Sequence, residues 1–107
     1  MVTFQIGSRS VSITGEGAED APFVVTGTGP NSPVAAMAEH QMMDHWLGEG
    51  NWIPVRTMTI DKPDGGTLAI MTIRTVDENA EVVQADIYFD VSEALSLPNE
   101  AGLNNEY

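Results

Sequence analysis

From Val82 to Val91 apolar and polar side chains alternate without a break. Val83, Ala85, Ile87, Phe89 and Val91 fall on one parity, and Gln84, Asp86, Tyr88 and Asp90 on the other. A strand points successive side chains to opposite faces, so this run is written for a half-buried strand and not for a helix. Two earlier runs, Trp52 to Ile60 and Thr67 to Val76, are compatible partners. They are separated by Asp61-Lys-Pro-Asp-Gly-Gly66 and Asp77-Glu-Asn-Ala-Glu81, both rich in turn formers. Pro54 near the start of the first run argues for an edge position or a bulge, because proline cannot donate to a ladder. The expectation is a three-stranded antiparallel β-meander. If the second turn pairs Thr75 with Val83, then Ile73 meets Ala85, Met71 meets Ile87 and Ala69 meets Phe89. That register builds one continuous apolar face, which a one-residue slip would destroy. The other face, with Leu68, Ile70, Thr72, Arg74 and Val76, is too apolar to be wholly solvated. The N-terminal strands or a second subunit are the two candidates to cover it.

Upstream, Thr3–Ile6 and Ser10–Thr14 alternate around Gly7-Ser8-Arg9, which suits a hairpin. Residues 15–21 read as a polar loop, and Phe23-Val24-Val25 as a strand ended by Gly27-Thr28-Gly29-Pro30-Asn31. A helix is expected from about Pro33 to Leu47. Ser32 serves as its N-cap, Pro33 its first position and Gly48 its stop. Ala35, Ala38, Met42, Met43, Trp46 and Leu47 form its apolar arc, with His40, Gln41 and Asp44 opposite. Asp90-Val-Ser-Glu93 resembles a capping box for a short last helix before Pro98. The fold class expected is therefore α+β: N-terminal β-strands, one amphipathic helix, a three-stranded antiparallel β-meander and a short C-terminal helix. The 107 residues suit one domain over 1–98, with 99–107 a flexible acidic tail.

Charge narrows the partners. The chain holds 16 Asp and Glu against 4 Lys and Arg, a formal net charge of −12. After Arg74 there is no Lys, Arg or His at all, while Asp77, Glu78, Glu81, Asp86, Asp90, Glu93, Glu100 and Glu106 are negative. Nucleic acid and anionic membranes need basic residues to displace counterions, so neither is expected as a direct partner. The 42 % apolar content excludes disorder throughout. With 0 Cys there is no disulfide, thiolate metal site or Cys nucleophile. No stretch reaches the roughly 20 apolar residues of a membrane span, and Met1-Val-Thr-Phe-Gln-Ile lacks the marks of a signal peptide. The compartment expected is cytoplasmic, that of a bacterial host if the protein is phage-encoded.

Candidate sites each have a structural alternative. His40, Asp44 and His45 are the residues nearest to a metal or proton-transfer set. A spacing of five turns the two rings about 140° apart, which leaves an exposed His40–Asp44 pair as the plainer reading. Thr26-Gly-Thr-Gly-Pro-Asn-Ser32 lacks the third glycine and the βαβ frame of a dinucleotide loop; amides at the helix start suit an anion, but the net charge opposes one, and a flexible entry loop ending in an N-cap is the plainer reading. Trp46 and Trp52 flank a turn and suit the helix–sheet junction. Met37, Met42, Met43, Met58 and Met71 are core residues or the lining of a groove. Arg56, if it lies over Thr72, joins Arg74 and Asp86 on one face. Neither a cofactor nor a metal is expected, and no enzyme.

The acids either keep the protein soluble or bind something. Alternate strand residues space charges by roughly 6.8 Å against about 1.7 Å in duplex DNA, so mimicry of a nucleic acid needs loop acids. Asp77, Glu78, Glu81, Asp90 and Glu93 are the candidate partner-binding residues. They are expected as two acidic poles about 30 Å apart, because they bound opposite ends of one strand. In general character small acidic chains without cysteine resemble phage-encoded anti-defence inhibitors, including anti-CRISPR proteins and DNA mimics; no residue motif carries that likeness. The function expected is a non-enzymatic inhibitor that binds the basic surface of a nucleic-acid-handling protein or nucleoprotein complex. The alternative is a structural or assembly subunit, such as a phage particle component or a homodimer, joined through the second sheet face and an edge strand.

Overall fold

A computed structural model describes residues 1–95. Its elements run β1 (Val2–Ile6), β2 (Arg9–Thr14), β3 (Phe23–Thr26), α1 (Ser32–Leu47), β4 (Trp52–Asp61), β5 (Thr67–Val76), β6 (Val82–Asp90) and α2 (Ser92–Leu95). All six strands join one mixed sheet in the order β1-β2-β3-β6-β5-β4. Neighbours are antiparallel except β3 and β6, which run parallel through Phe23↔Phe89 and Val24↔Asp90. The fold class expected from sequence is thereby corrected. The molecule is mostly β, and the last three strands are half of a larger sheet rather than a separate meander. The cause is the parallel β3–β6 pair, a contact between distant parts of the chain that no local pattern announces. It also answers the covering question differently, for the N-terminal strands extend the sheet sideways instead of lying over its second face.

Within β5 and β6 the register is the one the apolar pattern requires: Thr75↔Val83, Ile73↔Ala85, Met71↔Ile87 and Ala69↔Phe89. One face of the sheet carries Val11, Ile13, Phe23, Val25, Met71, Ile73, Ile87 and Phe89, and α1 lies against it with Ala38, Met42 and Met43. Phe89 sits fully enclosed at its centre, stacked at a tilt 5.4 Å from Phe23 across the parallel seam. Ala35 and Ala38 on α1 let the helix approach the sheet, with Met42 and Met43 buried on the same helix.

The helix departs from the amphipathic pattern expected of it. Met37 is 52 % exposed, whereas Glu39 is only 7 % exposed, on the face turned to the sheet. Its N-cap is Asn31 rather than Ser32. The Asn31 side chain accepts from the Val34 amide at 3.1 Å, which moves Pro33 to the second helical position. Gly48, at φ 97, ends the helix and donates its N–H to the Asp44 carbonyl. No described helix is long and apolar enough to cross a membrane. Positions 96–107, including the tail expected at 99–107, lie outside the described residues.

Candidate interaction surface

Pairing across β4, β5 and β6 sorts the uncovered face into rows. Ile53 lies beside Arg74 and Gln84, and Arg56 beside Thr72 and Asp86. Met58 lies beside Ile70 and Tyr88, and Ile60 beside Leu68 and Asp90. Among the described residues no element packs over these rows, yet Thr72 is 2 % exposed. Its hydroxyl donates to Asp86 Oδ1 at 2.7 Å. Asp86 is thus held by Thr72. The Arg74–Asp86 pair expected from the diagonal register does not form, and neither Arg74 nor Arg56 pairs with a carboxylate among the described residues. The rows thus set two arginines and two aspartates among Ile53, Met58, Ile60, Leu68 and Ile70.

The face ends in an unpaired strand. β4 pairs with β5 on one side only and forms an edge of the sheet. Of its ten residues all but Trp52 are exposed, including Ile53, Val55, Met58 and Ile60. Pro54 and the register shift between Pro54 and Arg56 blunt the first part of this edge, as the sequence suggested. Thr57–Ile60, between the charges of Arg56 and Asp61, has no such guard. Exposed edges are usually protected by charge, proline or a bulge, because free N–H and C=O groups template pairing with another chain. At the end of the sheet Ile53, Arg74, Val76 and Val82 line a hollow of about 240 Å³, and Val82 is 70 % exposed.

The five acidic residues singled out from sequence fare differently. Asp77, Glu78 and Glu81 occupy the β5–β6 turn. Asp77 Oδ1 accepts from the amides of Asn79 (2.8 Å) and Glu81 (3.0 Å), so it shapes the turn, while Glu78 and Glu81 are exposed. Asp90, at the other end of β6, is engaged inside the molecule. It takes Lys62 Nζ at 2.8 Å, the Ser92 amide at 3.0 Å and the Ser92 hydroxyl at 2.6 Å. Burial alone would push its carboxyl up, but these hydrogen bonds hold it below the usual range. Glu93 spans the sheet end to the glycine loop, accepting from Gly27 N at 3.0 Å and Gly29 N at 2.7 Å. The loop amides do hold an anion, and it is the protein's own carboxylate. Gly27 has φ 94, and a Cβ there would stand 2.3 Å from the Ser10 carbonyl oxygen, so only glycine presents that amide. The structure therefore does not bring the five acids together.

The structure sends His40, Asp44 and His45 to different neighbours. Asp44 accepts from Trp52 Nε1 at 2.8 Å rather than pairing with His40, whose ring leans on Trp52 at 5.1 Å. His45 meets Phe4 edge-on. Trp52 is buried at the junction as expected, while Trp46 is half-exposed and packs edge-on against Phe23. Among the described residues no three His, Asp or Glu gather as metal ligands.

Sequence reasoning missed Glu39. At 100° per residue it falls about 100° from Ala38 and about 60° from Met42, inside the apolar arc, which was the available signal. It lines a cavity of about 180 Å³ between α1 and β4, with Ala35, Thr57, Thr59 and Ala69 among its walls. No described residue hydrogen-bonds to its carboxyl or pairs with it. Burial pushes that carboxyl up to about 7. No protein-family model matches the chain, and no match is found among curated proteins or among solved structures.

Proposed function

We propose that this chain is a non-enzymatic interaction protein whose partner is a basic protein, docked on β4 and the uncovered face beside it. The observation that carries this reading is the edge itself: a ten-residue border strand, exposed from Ile53 to Asp61 and apolar over much of that length. Main-chain hydrogen bonds to a free edge supply affinity, and alternate side chains supply selectivity. The charge of −12 favours a partner rich in Lys and Arg and speeds encounter at low salt. An inhibitor of a nucleic-acid-handling protein or complex, of the phage anti-defence kind and acting in a bacterial cytoplasm, is the specific form this chemistry favours. Its steering acids are Glu78 and Glu81 with Asp77, since Asp90 and Glu93 are engaged internally.

The test uses the whole chain as immobilised bait in bacterial lysate, beside a Met58→Lys/Ile60→Lys double variant. A basic nucleic-acid-handling protein retained by the first bait, lost from the second and released steeply between low and physiological salt is expected. Equal capture on both baits, or capture indifferent to salt, overturns the reading. The same edge favours one other form, an assembly subunit in which two copies pair β4 with β4 about a two-fold axis. Light scattering separates them, with a dimer mass for the wild type and a monomer mass for the double variant marking the assembly form.

A further inference from the structure

We infer that the cavity between α1 and β4 receives the ammonium group of a lysine side chain carried by the strand that docks on β4; this rests on the edge-docking reading above. Three observations meet there. Glu39 is almost wholly enclosed yet has no hydrogen-bond or ionic partner among the described residues. Buried carboxyls of native proteins are nearly always paired, so an orphan one facing a cavity is short of a cation. The cavity, about 180 Å³, exceeds the roughly 150 Å³ of an apolar cavity known to admit benzene, and its aliphatic walls suit a methylene stem. Thr57 and Thr59 line it together with Glu39. The walls are almost wholly apolar, so an aliphatic stem that ends in one compact charge fits them better than the flat fork of a guanidinium.

The position of the cavity says how the lysine arrives. Thr57 and Thr59 belong to the unguarded part of β4, on the α1 side of the sheet, as their partners Met71 and Ala69 show. A strand added to that edge lies about 4.8 Å beyond β4 and turns every second side chain toward α1. A lysine there has a four-carbon stem to reach past the threonines. The net charge of −12 draws such a strand from a basic protein.

The test follows the Glu39 side-chain carboxyl by ¹³C NMR in the full chain at pH 8. The probes are n-butylammonium chloride, a lysine side chain without its backbone, and the peptide acetyl-Thr-Val-Lys-Val-Thr-amide. Saturable displacement of the Glu39 resonance by both is expected, with the peptide tighter. The response should fall in Ala36→Leu, which narrows the cavity and leaves the carboxyl in place, and the accompanying shift of the Thr57 and Thr59 methyl resonances should vanish in Glu39→Gln. Because the carboxyl titrates near 7, binding should weaken about 30-fold between pH 8 and pH 5.5. A Glu39 resonance unmoved by about 100 mM n-butylammonium, or Thr57 and Thr59 methyl responses equal in wild type and Glu39→Gln, overturns the proposal. If n-butylammonium binds and the peptide does no better, the site serves a free alkylamine and the strand-borne lysine is overturned. Failure of edge docking shows separately, as equal capture by the two baits while Glu39 still responds to n-butylammonium.

Discussion

Lys62 places its ammonium 2.8 Å from Asp90 Oδ2, joining the β4–β5 turn to the far end of β6. The same carboxylate holds the start of α2 through Ser92. Asp90→Ala should therefore cost about 1–3 kcal/mol at pH 7, measured by urea unfolding, because three hydrogen bonds to one charged group are lost together. The folded carboxyl lies below the ordinary 3.8 of an aspartate, so its contribution is present above that pH. It disappears as pH falls through the lower folded value. The wild-type and variant curves should converge in acid.

Glu39 has the opposite sign. Its carboxyl is raised from 4.5 to about 7, so folding is penalised by ionisation above pH 4.5, and the penalty is full above about pH 7. Glu39→Gln should raise unfolding free energy by up to about 3 kcal/mol at pH 8 and change it little at pH 4. Denaturant midpoints at the two pH values check this, and an equal change at both would contradict it.

Glu93→Ala removes the acceptor of the Gly27 and Gly29 amides. A loss of about 1–3 kcal/mol is expected, since both bonds are to a charged acceptor and the half-buried Gly29 amide is left unpaired. Hydrogen exchange at those two amides should accelerate in the variant before the sheet amides respond.

Glu78→Gln/Glu81→Gln should leave stability within about 0.5 kcal/mol of wild type, as both side chains are exposed. If these acids steer a basic partner, the double variant should slow association several-fold at low salt and leave dissociation unchanged, read by surface plasmon resonance.

The strands were legible because their patterns are local. The alternation in 82–91 and the turn residues at 61–66 and 77–81 fix β5 and β6 and their register. Arg56 over Thr72 followed from the same reasoning. The joining of the two halves was not legible. Phe23↔Phe89 and Val24↔Asp90 are a short parallel contact whose partners lie far apart in sequence, and short apolar runs do not name their neighbours. The acidic cluster misled for a related reason: composition counts charges and cannot say which are already hydrogen-bonded. Asp90 and Glu93 read as a capping box in sequence; in the fold Asp90 takes Lys62 as well as the Ser92 amide, and Glu93 fastens the glycine loop. Glu39 was visible on the helical wheel, but its isolation depends on what β4 and α2 bring against it.

The parallel seam has a consequence for how the chain comes together. β1 to β3 and β4 to β6 are each formed from neighbours in sequence and can pair early. Their union needs the last strand, so during synthesis the first half waits with Phe23 and one side of β3 uncovered until Phe89 has emerged. A long loop must then close before any seam contact is gained, which makes this the slow step. A ribosome-stalled chain ending before β6 should thus be open to protease at β3, and one extended past Leu95 and clear of the exit tunnel should be closed.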